Sequence, residues 1–530
     1  MLKPMKLAAL LLLGTSVAAF AEEPRQGGKL IFTAPYGSSF STMDIQSTPQ
    51  TQDEIAAIAI QRSLYKWNST TNTPELDLAN SVDVSEDGLT WTYHLKEGVT
   101  FHDGSAFTAD DIIWSYERII NPKNAFPGAR YFADVEGVED FKSGKAEHVS
   151  GLKKVDDLTF QMVFTAPVDP SFDLLTRQAS IYPSDLPVDH NFGTDPVGLG
   201  PFKLGKHIPG SMVQAVKFDK YYEKGKPYLD EVDVVIMEDA SARDVAFRNK
   251  EIDTSVLGGT QYQTYQADPD LAKGILEVAE MFTRNVGFSP KYKPFADKRV
   301  RQAMNYAINA DLIIDKLVKG KAYRAVSWLP TTSPAFDTAA KPYPYDPEKA
   351  KALLAEAGYP DGFEFELTAT QNESWGIPIV EAMIPMLAQV GVKVVAKPVE
   401  SSVLSEVIPA GDFQAYMWSN NSGPDALSTL RCFYSKTAQS ACNYSAYNSP
   451  EFDKLFDAAT AERDPAKRTD LLRQANDELQ DGAPVWFFNY NKAVMAYQPW
   501  VHGLQANATE MAIQDYGDIW IDDTAPESRK

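Results

Sequence analysis

Strand-like runs alternate with helical patterns along most of this 530-residue chain. The runs GGKLIFTA (27–34) and YLDEVDVVIM (228–237) are rich in β-branched and aromatic residues, which is typical of strands. DPEKAKALLAEAGY (346–359) predicts a helix, because Asp346 can cap its start and Gly358 can end it. This alternation favours an α/β fold, in which helices flank mostly buried strands. The length exceeds what one hydrophobic core holds, so about two to four domains are expected.

Two later segments carry the same alternation. EAMIPMLAQVGVKVVAKPV (381–399) predicts a helix, a turn and a strand. SPEFDKLFDAATAERDPAKRTDLLRQANDELQ (449–480) predicts two helices that are separated at Asp464 and Pro465.

The N-terminal third has a different pattern. In DGLTWTYHLKEGVTFHDG (87–104), apolar and polar residues alternate from Leu89 to Leu95, and turn residues follow at Gly98. Such alternation is typical of a half-buried antiparallel sheet. We therefore expect a separate subdomain between about residues 64 and 195.

The first residues have the pattern of a secretory signal peptide. Lys3 and Lys6 form a positive segment, residues 7–13 form a short apolar run, and a small-residue cleavage site ends at Ala21. The apolar run is too short to span a bilayer, and no cysteine follows the cleavage site. We predict an exported, soluble mature chain that begins at Glu22, with no membrane span and no lipid anchor.

Charge and composition exclude several classes of protein. The formal net charge is −22, and so acidic a chain is a poor binder of nucleic acid or of anionic membranes. Hydrophobic residues make up 44% and charged residues 23%, which is ordinary globular composition and excludes disorder for most of the chain. Aromatic residues reach 11%, which fits either a surface that grips sugars or peptides or simply a large core.

The sequence contains two cysteines, Cys432 and Cys442. Because an exported chain meets an oxidising compartment, we expect them to form a disulfide that closes a loop of about ten residues. Two cysteines without a nearby histidine cannot supply the four ligands of a structural zinc site.

No motif for catalysis or for a metal is present in the sequence. The GxSxG, Walker and GxGxxG patterns are absent, and none of the six histidines has HxxxH spacing. We therefore predict a protein that is not an enzyme and that has neither a cofactor nor a metal site. Two alternatives stay open: a secreted α/β hydrolase whose site is assembled from dispersed residues, and a binder of metal chelates.

Four loops combine aromatic residues with neutral polar groups, and each follows a strand-like run. In open α/β sheets the ligand crevice lies beyond the carboxyl ends of the strands, and a small-molecule pocket needs apolar walls with a few directed polar groups. We therefore predict that these loops meet in one ligand-binding pocket. The candidate residues are Tyr36, Ser38, Ser39 and Phe40 in the first loop, Trp328 in the second, Gln371, Asn372 and Trp375 in the third, and Trp418, Ser419, Asn420 and Asn421 in the fourth.

One segment closely resembles a known family. ANSVDVSEDGLTWTYHLKEGVTFHDGSAFTADDIIWSYERI (79–119) is similar to the signature region of the family 5 periplasmic solute-binding proteins. These are the dipeptide-, oligopeptide- and nickel-binding components of ATP-binding-cassette (ABC) importers. The resemblance extends over essentially the whole mature chain, in PVGLGPFKL (196–204), YYEKGKPYLDEVDV (221–234), FADKRVRQAMNYAIN (295–309) and YDPEKAKALLAEAGYPDGFE (345–364).

The resemblance implies a two-lobed periplasmic binding protein fold (type II, cluster C) with an extra N-terminal subdomain. It also implies a periplasmic monomer that closes on a small organic solute and then docks on an ABC permease in the inner membrane. Hinge strands are expected near 281–290 and 493–503. The expected parts are a signal peptide (1–21), lobe I (22–57, 195–283 and 504–530), the extra subdomain (58–194) and lobe II (284–503).

The resemblance also bears on the cargo. In dipeptide-binding relatives, the first aspartate of a WTGDNGD loop holds the peptide ammonium group, and an arginine holds its carboxylate. Asn421 stands at the aspartate position here, and Gln371 or Asn372 is nearest to the arginine position. Amides suit neutral polar groups, because each can donate and accept, whereas a buried ammonium needs a carboxylate. A peptide-like solute remains the first expectation, and the alternatives are an oligosaccharide, an opine-like sugar–amino acid conjugate or a modified peptide.

Two charged residues of the fourth loop are further candidates. Asp425 either contacts the ligand or caps the turn after Pro424. Arg431 either contacts the ligand or anchors the disulfide loop. Apart from these two residues, the candidates are mostly neutral. We therefore expect a cleft that selects its ligand mainly by hydrogen bonds to neutral polar groups.

Overall fold

The computed structural model describes residues 23–35, 39–48, 50–187, 189–371, 375–421, 423, 425–440 and 442–530, with the backbone alone at 401, 402 and 421. The predicted signal peptide (1–21) lies outside the described residues. The strands are β1 (Lys29–Ala34), β2 (Tyr65–Asn68), β3 (Thr73–Leu76), β4 (Ala79–Val84), β5 (Thr90–Leu95), β6 (Leu152–Asp156), β7 (Thr159–Val163), β8 (Phe202–Ile208), β9 (Met212–Lys217), β10 (Glu231–Ile236), β11 (Thr254–Val256), β12 (Ile275–Phe288), β13 (Ala322–Arg324), β14 (Phe363–Ala369), β15 (Val392–Pro398), β16 (Ala415–Asn421), β17 (Val485–Tyr497), β18 (Val501–His502) and β19 (Trp520–Ile521). The α-helices are α1 (Thr51–Ala57), α2 (Ala109–Ile120), α3 (Val138–Lys142), α4 (Ser171–Leu174), α5 (Ala240–Arg248), α6 (Gly259–Ala267), α7 (Lys293–Ala296), α8 (Lys298–Ala307), α9 (Ala310–Lys316), α10 (Pro347–Glu356), α11 (Ile377–Ala388), α12 (Ser401–Ala410), α13 (Ala426–Leu430), α14 (Pro450–Ala461) and α15 (Pro465–Gly482).

The first lobe is organised around a sheet of order β1-β10-β9-β8. The two strands predicted at 27–34 and 228–237 are neighbours in it, since β1 pairs with β10 in parallel. Phe32 points into the core and meets the ring of Tyr516 edge-on, with ring centroids 5.4 Å apart. The C-terminal segment therefore returns to the sheet in which the mature chain begins.

A second sheet, β4-β5-β7-β6, is wholly antiparallel and contains the segment whose apolar and polar residues alternate. Helix α2 covers one face of it, and Tyr116 of this helix packs against Phe160. The helix begins at Thr108, where a capping box with Asp111 satisfies backbone groups of the first turn. This sheet and its helix correspond to the antiparallel region predicted in the N-terminal third.

The second lobe contains most of a seven-stranded sheet with a path of order β11-β17-β12-β16-β14-β15 and with β13 paired to β17. Here the helix predictions are confirmed: Asp346 caps α10, α14 and α15 are separated before Pro465, and α11 leads through a turn at Gly391 into β15. Among the described residues, no helix combines the length and the apolar character that crossing a bilayer requires.

Strands β12 and β17 are long, with 14 and 13 residues, and they connect the two lobes. One end of the pair joins β11 and packs in the core of the first lobe, and the other end carries β16 and β14 of the second lobe. The pairing changes register between Ala279 and Thr283. Because a register change bends and twists a ladder, this is where the two lobes diverge. The result is a two-lobed α/β architecture, and the domain boundaries expected from the sequence remain a prediction.

Candidate ligand-binding site

A cavity of about 1050 Å³ lies between the lobes, beside the register change of the two long strands. Ligand pockets of small-molecule sites span about 300–1000 Å³, so the interlobe cavity can take a solute of several residues. The first lobe lines it with nine polar residues between Ser39 and Asp53 and with residues 510–511. The long strands and the second lobe line it with Glu280, Phe282, Arg284, Lys321, Ser419 and Asn491.

The first-lobe wall is rich in hydroxyl and amide side chains, and a buried carboxylate organises it. Asp53 in the first turn of α1 accepts hydrogen bonds from the backbone N–H of Ser41 at 2.7 Å and from the hydroxyl of Thr48 at 2.9 Å. The hydroxyl of Ser41 donates to the same carboxylate. The loop before α1 is therefore held in place by its own hydrogen bonds.

The opposite wall carries two cations. Burial lowers the pKa of Arg284 to about 10, while the negative charge of Glu280 acts in the other direction. Burial also lowers the pKa of Lys321, again with Glu280 opposing, and the positive charge of Arg284 lowers it further. Neither cation forms a salt bridge with the described part of the chain, and Nε of Arg284 is buried without a hydrogen-bond partner there.

Two carboxylates face the same cavity. Glu280 accepts a hydrogen bond from the side-chain amide of Asn491 on the neighbouring strand. Glu510, on the first-lobe side, accepts one from the backbone N–H of Ala512 at 3.1 Å. The cavity therefore offers groups of both signs, together with hydroxyls, to a bound solute.

Some of the predicted site residues lie in this cavity. Ser39 lines the first-lobe wall, and Ser419 lines the second-lobe wall beside Arg284, its backbone partner across the ladder. Asn421 pairs through its backbone with Phe282, which lines the cavity, but its side chain lies outside the described part of the chain. Phe40 is buried in the first-lobe core instead, with its ring centroid 6.2 Å from that of His207.

Trp328 and Asn420 line a second, smaller cavity of about 350 Å³ in the second lobe, together with both cysteines. The structure contains the predicted disulfide between Cys432 and Cys442. Ser419 and Asn420 are consecutive residues of β16, and neighbouring side chains of a strand point to opposite faces. The end of this strand therefore separates the interlobe cavity from the smaller one.

Trp375 and Trp418 pack against each other in a T-shaped arrangement, with ring centroids 5.6 Å apart. Each is half-buried, Trp375 against the main core of the second lobe and Trp418 against the cluster around α12, and neither lines one of the two cavities. Gln371 is exposed at the end of the strand that precedes this loop.

Asp425 caps α13 by accepting hydrogen bonds from the backbone N–H groups of Leu427 and Ser428, both at 3.0 Å. Arg431 has an exposed side chain, and its carbonyl oxygen accepts a hydrogen bond from the hydroxyl of Thr437 at 2.8 Å within the disulfide loop. Tyr36, Ser38 and Asn372 are candidates that lie outside the described residues.

The sequence patterns missed the charged residues of the cavity: Asp53, Arg284, Lys321, Glu280 and Glu510. One sequence signal could have identified Arg284. It lies inside the strand-like run MFTRNVGF, and a charged residue is rarely buried in a strand unless it has a partner. For Lys321 and Glu510 no local pattern exists, because they come from separate loops that meet only in the folded chain.

Two lobes joined by a pair of long strands, with a polar cavity between them, define the class of two-lobed solute-binding proteins. The chain belongs to the bacterial extracellular solute-binding proteins, family 5. The model of the middle region of this family matches residues 73–441. The chain is thus a solute-binding component of an ABC importer, and the predicted fold class is confirmed.

The similarity to known proteins extends over nearly the whole chain. A dipeptide-binding protein of Escherichia coli (strain K12) is 30% identical over 91% of this chain and 92% of its own length. The periplasmic binding protein DppA of Helicobacter pylori, solved with the peptide STSA, is 25% identical with a TM-score of 0.68, covering 94% of this chain and 98% of that one. The binding protein AgaA from A. tumefacien R10, solved with agropinic acid, is 26% identical with a TM-score of 0.67, covering 93% of this chain and 99% of that one.

Proposed function

We propose that this protein captures a carboxylate-bearing, peptide-like solute between its two lobes in the periplasm and delivers it to an ABC permease of the inner membrane. The observation that carries this proposal is the pair of cations, Arg284 and Lys321, which line the interlobe cavity without a salt bridge to the described part of the chain. The peptide cargo of the relatives from Escherichia coli and Helicobacter pylori supports the same class of solute.

The physical reason is the free energy of an unpaired charge. A guanidinium that is partly removed from water loses hydration, and a ligand carboxylate restores that loss through two parallel hydrogen bonds. Burial lowers the pKa of both Arg284 and Lys321, which is the direction that a loss of hydration gives. Since only the closed protein contacts the ligand from both lobes, ligand binding favours closure.

Glu280 and Glu510 complete the match with a zwitterionic solute. A peptide ammonium group needs a carboxylate partner, and the aspartate that holds it in dipeptide-binding relatives is replaced here by Asn421. We assign that role to Glu280 or Glu510, which line the same cavity as the two cations. In this assignment the charged residues of the cavity bind the charged groups of the solute, and the hydroxyl-rich wall of the first lobe binds its neutral polar groups.

A second candidate is an opine-like sugar–amino acid conjugate. The hydroxyl and amide groups of the segment 39–53 suit a polyhydroxy chain, because each can donate and accept a hydrogen bond. The relative solved with agropinic acid supports this class of ligand. An uncharged oligosaccharide fits less well, since it leaves Arg284 and Lys321 unpaired.

The proposed activity is binding without chemistry, by a monomer without a cofactor. Among the described residues, no group of three or more His, Cys, Asp or Glu side chains is arranged to hold a metal ion. Turnover of a bound solute would instead favour the alternative of a hydrolase.

The test is calorimetric titration of the purified mature protein with four probes: Ala-Ala, its C-terminal amide, agropinic acid and maltotriose. We expect Ala-Ala or agropinic acid to bind at micromolar concentration, and the amide at least tenfold more weakly than Ala-Ala. In the variant Arg284→Met, we expect the affinity for the carboxylate-bearing probe to fall about 100-fold, because a buried charge-assisted contact is lost. The matched control is Arg463→Met, which removes an exposed arginine of the second lobe.

The outcomes separate the candidates. Equal affinity for Ala-Ala and its amide, unchanged in Arg284→Met, would overturn the assignment of the carboxylate to the cations. Binding of agropinic acid with no binding of Ala-Ala would select the opine-like class. Binding of maltotriose alone would restore selection by neutral groups.

A further inference from the structure

The smaller cavity of the second lobe has no role in the proposed charge recognition, although it lies beside the interlobe cavity. Its volume is about 350 Å³, at the lower end of ligand pockets, which suits one large side chain better than a whole solute. The two cavities share no lining residue, although Ser419 and Asn420, which line one cavity each, are consecutive in β16.

Four of the twelve residues that line this cavity are aromatic. Trp328 meets the ring of Phe433 edge-on, with centroids 4.7 Å apart, and Tyr416 meets Tyr444 in the same way at 6.5 Å. Trp328, Phe433 and Tyr416 are buried, and Tyr444 is half-buried. Such walls favour an aromatic guest over an aliphatic one, because ring pairs add to the gain from burial.

One polar group in this wall lacks a partner. Trp328 is 5% exposed, and its indole N–H has no hydrogen-bond acceptor among the described residues. A buried donor without an acceptor costs free energy, which a guest can recover by offering an oxygen atom. The position of Trp328 is well defined, since its carbonyl oxygen accepts a hydrogen bond from the hydroxyl of Thr283 at 2.7 Å.

The cavity is also linked to β12 by a hydrogen bond and is lined by the disulfide. Asn420, in its wall, accepts a hydrogen bond from the amide of Asn285 on β12 at 2.9 Å. Cys432 and Cys442 both line the cavity, so the disulfide forms part of its wall. A guest here therefore contacts Asn420, which is hydrogen-bonded to β12.

We propose that this cavity is a side-chain subsite for an aromatic residue of the cargo, with Trp328 donating a hydrogen bond to a polar atom at the tip of that side chain. Tyrosine is the residue that fits this description best, because its ring packs against aromatic walls and its hydroxyl oxygen accepts a hydrogen bond. The proposal rests on the proposed function, since it presupposes a peptide-like cargo in the interlobe cavity.

The experiment compares peptides that differ in one side chain. Ala-Ala, Ala-Phe, Phe-Ala, Ala-Tyr and Tyr-Ala are titrated into the wild-type protein and into Trp328→Phe, which keeps an aromatic ring but removes the N–H group. For one of the two sequence orders we expect the phenylalanine peptide to bind at least tenfold more tightly than Ala-Ala, and the tyrosine peptide several-fold more tightly again. In Trp328→Phe the advantage of tyrosine over phenylalanine should disappear.

Trp486→Phe is the matched control. Trp486 is also a buried tryptophan whose N–H has no partner among the described residues, but it packs in the main core of the second lobe and lines neither cavity. Its variant should keep the wild-type order of affinities.

Two results would overturn the subsite. Equal affinity for Ala-Ala and all four aromatic peptides would do so while leaving the proposed function in place. An advantage of tyrosine that survives in Trp328→Phe would remove Trp328 as the donor. Failure of every peptide to bind would overturn the proposed function, and the subsite with it.

Discussion

On the first-lobe side of the interlobe cavity, the carboxylate of Asp53 accepts hydrogen bonds from Ser41 and Thr48, so these groups are satisfied before a ligand arrives. On the opposite side, Arg284 and Lys321 line the cavity without a salt bridge to the described part of the chain. The polar groups around Asp53 are thus hydrogen-bonded within the first lobe, whereas the two cations of the opposite wall have no salt-bridge partner in the described part of the chain.

From this difference we infer that the first-lobe wall contributes to the stability of the fold and that the opposite wall contributes to ligand selection. Satisfied hydrogen bonds around a buried carboxylate stabilise the folded chain, whereas a partly desolvated cation without a partner lowers stability in exchange for ligand affinity. Residues of the first-lobe wall should therefore be costly to remove even without ligand. Residues of the charged wall should be costly to remove only when a ligand is present.

The largest effect is expected for Asp53→Ala. This variant leaves two hydroxyl groups and one backbone N–H of the first-lobe wall without their acceptor, so we expect the free energy of unfolding to fall by about 3 kcal/mol. Urea denaturation measures it. The control is Asp185→Ala at an exposed position, which should change the free energy of unfolding by about 0.5 kcal/mol or less. Equal effects of the two variants would mean that the carboxylate does not organise this wall.

Arg284→Met should not lower the free energy of unfolding. Removing a partly desolvated cation without a salt-bridge partner should leave the free energy of unfolding of the ligand-free protein unchanged or raise it by about 1 kcal/mol. The measurement is again urea denaturation, with Arg463→Met as the reference. A loss of more than about 1 kcal/mol would show that Arg284 supports the fold, and the contrast between the walls would be broken.

The smallest effect is expected for the dependence of ligand affinity on pH. Burial lowers the pKa of Lys321, so its ammonium group loses its proton at a lower pH than an ordinary lysine. The affinity for a carboxylate-bearing solute should be complete below that lowered pKa and should decline as pH rises through it toward 10.5, the ordinary value for lysine. In Lys321→Arg the decline should be much smaller, because a guanidinium holds its proton more strongly.

Calorimetric titration across this pH range checks the last prediction. The control is Lys206→Arg, at an exposed position of the first lobe, which should keep the decline of the wild type. A decline of equal size in Lys321→Arg would assign it to another group.

Local features of the fold were predictable from the sequence. The helix over 347–356 and the separation of two helices before Pro465 follow from capping and turn residues that act within a few positions of one another. The disulfide was predictable from the pairing of two cysteines in an exported chain.

The candidate site was predictable in part. Ser39 and Ser419 lie in the interlobe cavity, and Trp328 and Asn420 lie in the smaller cavity. Trp375 and Trp418 instead pack against each other. A tryptophan in a polar loop looks the same in sequence whether its ring faces a cavity or a neighbouring ring, since burial depends on distant residues.

The α/β character, the negative net charge and the family follow from the sequence, because composition, periodicity and family motifs are properties of the chain. That Arg284, Lys321, Glu280 and Glu510 share one cavity follows only from the tertiary structure. These four residues lie up to hundreds of positions apart, and their charges act on one another only once the two long strands and the surrounding loops bring them within electrostatic reach.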